Sequence, residues 1–265
     1  MDSGLLRDAL TALAGVATGV MSGSFGVGGA VISTPAIRAL GCSAAIAVGT
    51  TLPSILPGAI MGSLKYRTSQ LVRWRTVLYT VPAGIVAAVI GARLADVLPG
   101  DGHPLMILTA LMLFWSSWNL IRGDKSTPEV DQSIDTVAEV MNHRSKSAVI
   151  GAMAGGLSGL LGVGGGIVMV PMFRDVLKVP MKTAIATSLV CVGFFAVPGT
   201  ITHTIQGGVD WRYALLLTLG VIPGAPIGAR IALSLRDEHL RRIFGVFLAC
   251  TAVIYAAGEI IALVG

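Results

Sequence analysis

Two short glycine strings hold most of the chemistry that this sequence can offer. They read Gly-Val-Gly-Gly-Ala at 26–30 and Gly-Val-Gly-Gly-Gly at 162–166. Each lies within a long charge-free apolar run, 9–37 in one case and 147–173 in the other. Glycine admits positive φ and lets a second backbone or a ligand come close. A helix that restarts after such a string presents N–H groups without intrahelical partners and a partial positive charge, which suits an anion. Gly26, Val27, Gly28 and Gly29, with Gly162, Val163, Gly164, Gly165 and Gly166, are therefore expected to form two substrate-lining turns. Ser22, Ser24, Thr50 and Thr51, and in the second region Ser158, Thr187 and Ser188, are the hydroxyls expected to add donors. The two helix starts are expected to converge near the middle of a bilayer. A purely structural crossing of helices is the competing role for the same glycines.

Other chemistries find little support. No strand precedes the glycines and no Gly-Lys-Ser/Thr follows them, so a nucleotide phosphate loop is excluded. Ser158 sits in Gly-Leu-Ser-Gly-Leu, which is not a nucleophile elbow, and no His/Asp set accompanies it. Cys42, Cys191 and Cys250 form no Cys-x-x-Cys pair, so neither a disulfide framework nor a metal site is implied. The reading is of a protein that is not an enzyme and needs no cofactor. Of the 14 acidic residues only Glu259 lies inside an apolar block, and a cation pathway needs buried carboxylates. The expected substrate is thus an anion or a neutral molecule.

The elements that must position these residues follow from composition. The chain has 265 residues, of which 54% are hydrophobic and 12% charged, with a mean hydropathy of +0.79. A soluble domain could not hide that much apolar surface. An all-α polytopic membrane protein follows, with the lipid bilayer as its surroundings and no nucleic acid as partner, despite a net charge of +5. The start, Met-Asp-Ser-Gly-Leu-Leu-Arg-Asp, carries acids where a cleavable leader carries basic residues.

The chain also contains itself twice. Residues 15–35 and 151–171 are identical at nine of 21 positions at an offset of 136, which chance does not produce. At an offset of 137, Trp74-Arg75 meets Trp211-Arg212, and Gly91-Ala92-Arg93 meets Gly228-Ala229-Arg230. The reading is of a first transmembrane repeat over 1–121, a polar cytoplasmic linker over 122–146 with a short helix at 133–142, and a second repeat over 147–265. Gly15, Gly19 and Gly23, with Gly151, Gly155 and Gly159, have the small-xxx-small spacing of packed membrane helices. Tyr66 and His203 hold equivalent positions and read as interfacial anchors. Arg93 and Arg230 read as side chains that snorkel to the interface.

Topology turns on the first block of each repeat. If it is a glycine-interrupted hairpin with arms at 10–22 and 29–40, each repeat has three full spans and the repeats are inverted. One side then receives Lys65, Arg67, Arg73, Arg75, Arg122, Lys125, Arg144, Lys146, Arg174, Lys178, Lys182, Arg236, Arg241 and Arg242, and the other Arg7, Arg38 and Arg212. That split of 14 to 3 obeys the positive-inside rule. If the block spans once, the repeats are parallel and the sides receive 10 and 7. The asymmetry favours inversion, a recurrent transporter plan.

The twice-repeated Ser-Gly-x-x-Gly-Val-Gly-Gly followed by a proline resembles the sulfite exporter TauE/SafE family of small membrane permeases. Val-Asp-Trp-Arg at 209–212 and Pro-Gly-Ala-x-x-Gly-Ala-Arg at 223–230 resemble the second-half pattern of that family. The first half departs from it with Ala30 in place of the Gly166 equivalent and Val-Arg-Trp-Arg at 72–75. The resemblance implies a secondary carrier or facilitator for a small sulfur-containing anion such as sulfite, sulfoacetate or another organosulfonate. It implies a multi-pass protein of a bacterial-type inner membrane; members of the family import or export, and export is the expected direction because a negative interior drives an anion outward. A permease for another small oxyanion or neutral solute, and a non-transporting accessory protein, are the alternatives. A homo-oligomer is left open.

Overall fold

The computed structural model describes residues 3–97, 103–122, 137–161 and 164–264. Among these residues every regular element is a helix. The first repeat contributes α1 (Ser3–Phe25), α2 (Ala30–Ala39), α3 (Ala44–Thr68), α4 (Trp74–Val97) and α5 (His103–Arg122). The second contributes α6 (Val137–Leu161), α7 (Gly166–Val176), α8 (Met181–Ile205), α9 (Trp211–Ser234) and α10 (Asp237–Val264). Among the described residues five stretches are long and apolar enough to cross a bilayer: Leu5–Phe25, Ile46–Thr68, Trp74–Gly91, Met181–Ile205 and Trp211–Ser234.

Two expectations about elements need correction. The first arm of the hairpin is not 13 residues long, because α1 runs for 23 residues and is itself long enough to span. The partner α2 has only 10 residues, so the pair is a long helix with a short return rather than two matched arms. Residues 137–142 of the expected short helix at 133–142 are instead the first turns of the long helix α6. Residues 123–136 of the expected linker lie outside the described residues.

The core is made by exchange between the repeats. Helix α1 packs on α9, and α6 packs on α4. A β-carbon placed on Gly15 would lie 2.5 Å from the Leu217 carbonyl oxygen, and one on Gly19 would lie 2.6 Å from that of Val221. One on Gly23 would meet the Ala225 carbonyl more closely still. The equivalent glycines on α6 behave alike: Gly151, Gly155 and Gly159 abut the carbonyls of Thr80, Gly84 and Ala88. Glycine here removes the only atoms that would hold the two backbones apart. In both seams residue numbers rise together, so α1 runs parallel to α9 and α6 parallel to α4.

Helices α3 and α8 form the centre and run antiparallel. Gly49 lies against His203 and Gly208, Gly199 against Leu52, Gly193 against Ala59, and Gly62 against Leu189. Helix α1 adds Phe25, whose ring stacks on Phe244 and Phe247 of α10 at centroid distances of 4.8 and 5.2 Å. Ser117 of α5 donates to the Gly245 carbonyl at 2.8 Å, tying α5 to α10. Tyr66 is not an interfacial anchor. It is fully buried and donates its hydroxyl proton to the Gly23 carbonyl at 2.7 Å, locking α3 to the glycine face of α1.

Side-chain bonds gather the loops at two opposite ends. At one end Arg7 donates to the Leu40 carbonyl, Arg212 pairs with Asp8 at 2.6 Å, and the Asp210 N–H donates to Thr50 Oγ1 at 2.9 Å. At the other end the Arg73 N–H donates to Thr187 Oγ1 at 3.2 Å, the Met181 N–H to Asp237 at 2.8 Å, and Lys182 to the Leu233 carbonyl at 3.0 Å. Arg144 stacks over the Tyr79 ring at that end too.

Candidate functional site

Helix α1 stops at Phe25 because the next residues leave helical space. Gly26, Gly28 and Gly29 have φ of 69, 80 and 81°, and Gly164 and Gly165 have φ of 87 and 65°. These are left-handed values that only glycine adopts without strain. Gly29 and Gly165 stand immediately before α2 and α7 as their N-terminal flanking residues, without a capping side chain. The first hydrogen bonds of each new helix return to these glycines: Ile32 and Ser33 N–H to the Gly29 carbonyl, Val168 and Met169 N–H to that of Gly165. The N–H groups of the first turn ahead of them have no partner within the helix.

The two strings meet each other. A β-carbon on Gly166 would collide with the Gly26 carbonyl and lie 2.6 Å from the Val27 Cα. One on Gly164 would lie 3.0 Å from the Val27 carbonyl and 3.9 Å from the Gly28 Cα. This explains why position 166 is glycine although its equivalent, Ala30, carries a methyl group. Val192 lies over both strings, its Cγ1 against Gly28 and 3.5 Å from the β-carbon position of Gly164. Ile55, the equivalent of Val192 at an offset of 137, comes within 3.4 Å of that position on Gly28. Both are buried apolar side chains.

The hydroxyls take different parts. Ser188 donates to the Gly26 carbonyl at 2.9 Å and so holds the first string in place. Thr50 and Thr187 accept from the N–H groups of Asp210 and Arg73, at opposite ends of the bundle. Thr51 donates to the Val48 carbonyl at 2.9 Å and lies 3.4 Å from Thr34 Oγ1, and Ser24 donates to the Gly228 carbonyl at 3.1 Å. Ser158 stands beside Gly165, its Cβ 3.3 Å from where a β-carbon would lie. Gly162 and Val163 fall outside the described residues.

Ser22 and Thr18 are different. Both are 2% exposed, and neither Ser22 Oγ nor Thr18 Oγ1 has a hydrogen-bond partner among the described residues. Both face the start of α2: a β-carbon on Gly29 would lie 2.5 Å from Thr18 Cγ2 and 3.5 Å from Ser22 Cβ. A buried hydroxyl without a partner costs about 1–3 kcal/mol, so this pair marks a place suited to a polar guest. Thr18 was not among the expected site residues. Its signal is the spacing of four from Ser22 on α1, next to the glycine ridge.

Comparison with known proteins finds a family and several relatives. The sulfite exporter TauE/SafE family pattern matches residues 11–255. A probable membrane transporter protein of Xylella fastidiosa (strain 9a5c) is 26% identical over 245 residues, covering 91% of this chain and 90% of that protein. The probable membrane transporter protein YunE of Bacillus subtilis is 25% identical over 252 residues, covering 88% of this chain and 92% of that protein. One from Methanocaldococcus jannaschii is 24% identical over 252 residues, covering 89% and 91%. No solved structure matches the chain significantly.

Proposed function

We propose that this chain, which belongs to the sulfite exporter TauE/SafE family, is a secondary carrier for a small sulfur-containing anion, such as sulfite, sulfoacetate or another organosulfonate. The observation that carries the reading is the meeting of the two glycine strings beside two buried hydroxyls that lack partners. An anion docked at the start of α2 takes N–H bonds from the first turn and O–H bonds from Thr18 and Ser22. Gly28, Gly29, Gly164 and Gly165 let the surrounding groups close tightly around the two turns. Val192 and Ile55 cover the strings and must move aside before an anion passes. Ser188, Thr50 and Thr187 serve the frame, since each already holds a backbone group.

The repeats are inverted in this reading, with the basic end facing the cytoplasm of a bacterial-type inner membrane. The parallel pairs α1/α9 and α6/α4, which start from opposite ends, support it, as does the uneven distribution of arginine and lysine. Residues 122–146 then serve as a cytoplasmic linker. The moving bodies are not the two sequence repeats, because backbone contacts of this tightness cannot slide. They are the α1/α9 and α4/α6 pairs, hinged on α3 and α8.

The substrate is tested in liposomes by flux of sulfite, sulfoacetate, taurine and phosphate under an imposed potential without a pH gradient. A negative interior drives a monovalent anion outward by about 2.3 kcal/mol per 100 mV. Potential-driven flux of the sulfur oxyanions is expected. Flux of phosphate alone shifts the substrate class, and no flux of any of them leaves an accessory role. Topology is tested with Ser69→Cys and Lys178→Cys in a background lacking Cys42, Cys191 and Cys250. Both must be shielded from an impermeant thiol reagent outside intact cells; labelling of one alone breaks the inverted reading.

A further inference from the structure

The repeat relation exposes one place where the two ends of the bundle have diverged in charge. At one end Asp8 pairs with Arg212, and Asp210 caps α9 by accepting from the Arg212 and Tyr213 N–H groups at 3.0 and 3.3 Å. The equivalents at the other end are Arg144 for Asp8, Arg75 for Arg212 and Arg73 for Asp210. Both acids have become arginines. Arg75 and Arg144 line a cavity of about 300 Å³ between α4 and α6, with Thr76, Leu78, Tyr79 and His143 among its walls and, among the described residues, no acidic side chain. Arg144 lies 5.1 Å above the Tyr79 ring, which fixes its guanidinium at the cavity wall. His143 precedes the apolar block of α6, and burial together with the charges of Arg73 and Lys146 holds its imidazole below the ordinary histidine range. Two arginines lining one space, on a frame whose other end pairs the same positions with acids, make a site suited to an anion. Two arginines also match the geometry of a phosphate.

The surroundings select the kind of phosphate. Leu78 on the cavity wall is 65% exposed, and Trp74 one turn before it is 57% exposed. The outward face of α4 continues through Val86 and Ile90, also exposed. A headgroup in the cavity would therefore leave its acyl chains along an apolar helix face. Basic pockets between membrane helices, at the level of the headgroups, hold anionic lipids in this manner. We propose that the α4/α6 cavity is a binding site for the phosphate of an anionic phospholipid, held by Arg75 and Arg144. The site rests on the cavity and its charges and is independent of which anion the carrier moves.

The test uses the purified full chain in mild detergent. Dioleoyl phosphatidylglycerol, phosphatidylcholine with the same chains, or sodium phosphate is added, and retained lipid is counted by native mass spectrometry beside the thermal midpoint. Phosphatidylglycerol is expected to be retained at least about tenfold over phosphatidylcholine and to raise the midpoint. Arg144→Asp rebuilds the acid–arginine pair of the opposite end, so it should fold, and its preference should fall below about threefold. Arg75→Gln, at an exposed position, gives the same reading if the first variant does not accumulate. Undiminished phosphatidylglycerol preference in either folded variant overturns the proposal. Displacement of the lipid by sodium phosphate, with the same rise in midpoint, also overturns it and makes the cavity a site for free oxyanions.

Discussion

The α1/α9 and α4/α6 seams are the two long contacts of this molecule, and they differ in one respect. Along their length both are ladders of glycine against carbonyl, with Gly15, Gly19 and Gly23 in the first answered by Gly151, Gly155 and Gly159 in the second. At their ends one seam closes with the Asp8–Arg212 pair, whereas the other opens on Arg75 and Arg144. The ladder tolerates nothing larger than hydrogen, so both copies keep it. The ends meet solvent and headgroups, where charge is cheap to exchange, and there the copies have diverged. Divergence between the repeats therefore points to a difference between the two ends of the bundle, and retained identity points to packing.

The equivalence of the ladders is broken most directly at their centres. Gly19→Val and Gly155→Val each drive a branched side chain into a backbone carbonyl, and overpacking of this kind costs about 1–3 kcal/mol or more. Folded, membrane-inserted protein should fall by at least about tenfold in both, measured by fluorescence-detected size exclusion. A large loss for one and none for the other would show that the seams are not equivalent in energy.

The glycine strings come next. Gly164→Ala strains a positive φ and brings a methyl group to 3.0 Å from the Val27 carbonyl. A substantial folded population is expected to remain, with affinity for the proposed anion substrate lower by about tenfold, or about 1.4 kcal/mol. Gly28→Ala meets mainly the end of the Val192 side chain and should behave similarly. Binding and flux measured beside folded yield decide the matter. If loss of activity tracks loss of protein with affinity unchanged, the strings only pack.

A smaller effect is expected at Tyr66, whose equivalent in the other repeat is His203. Tyr66→Phe removes its bond to the Gly23 carbonyl, worth about 0.5–1.5 kcal/mol. A modest drop in thermal midpoint with flux intact would assign Tyr66 to the frame. Selective loss of flux would move it to the site. The smallest effect belongs to the exposed Asp8–Arg212 pair. Asp8→Asn should leave yield and midpoint unchanged within error, because exposed pairs contribute little. A clear destabilisation there would mean that this end of the bundle also depends on its charge arrangement.

Much of this was legible in the sequence. Composition required helices in a bilayer, and self-similarity at offsets of 136 and 137 required two copies of one unit. The spacing of Gly15, Gly19 and Gly23 marked a packing ridge, because small residues four apart must line one face of a helix. The Gly-Val-Gly-Gly strings marked the breaks, because glycine alone adopts the backbone angles found there without strain. All of these are local properties, or repetitions of local properties, and periodicity transmits them without a fold.

Tertiary structure alone decided who meets whom. That α1 lies on α9 rather than within its own repeat depends on matching a glycine ridge to a bare carbonyl ridge more than 200 residues away in sequence. No local signal specifies that partner. The sequence placed Thr50, Thr187 and Ser188 with Ser22 as one set of hydroxyls. In the fold the first three hold backbone groups, and Ser22 is left with Thr18 as the unsatisfied pair. A hydroxyl becomes a site or a strut according to whether a partner lies within about 3 Å, and only the packed chain fixes that distance.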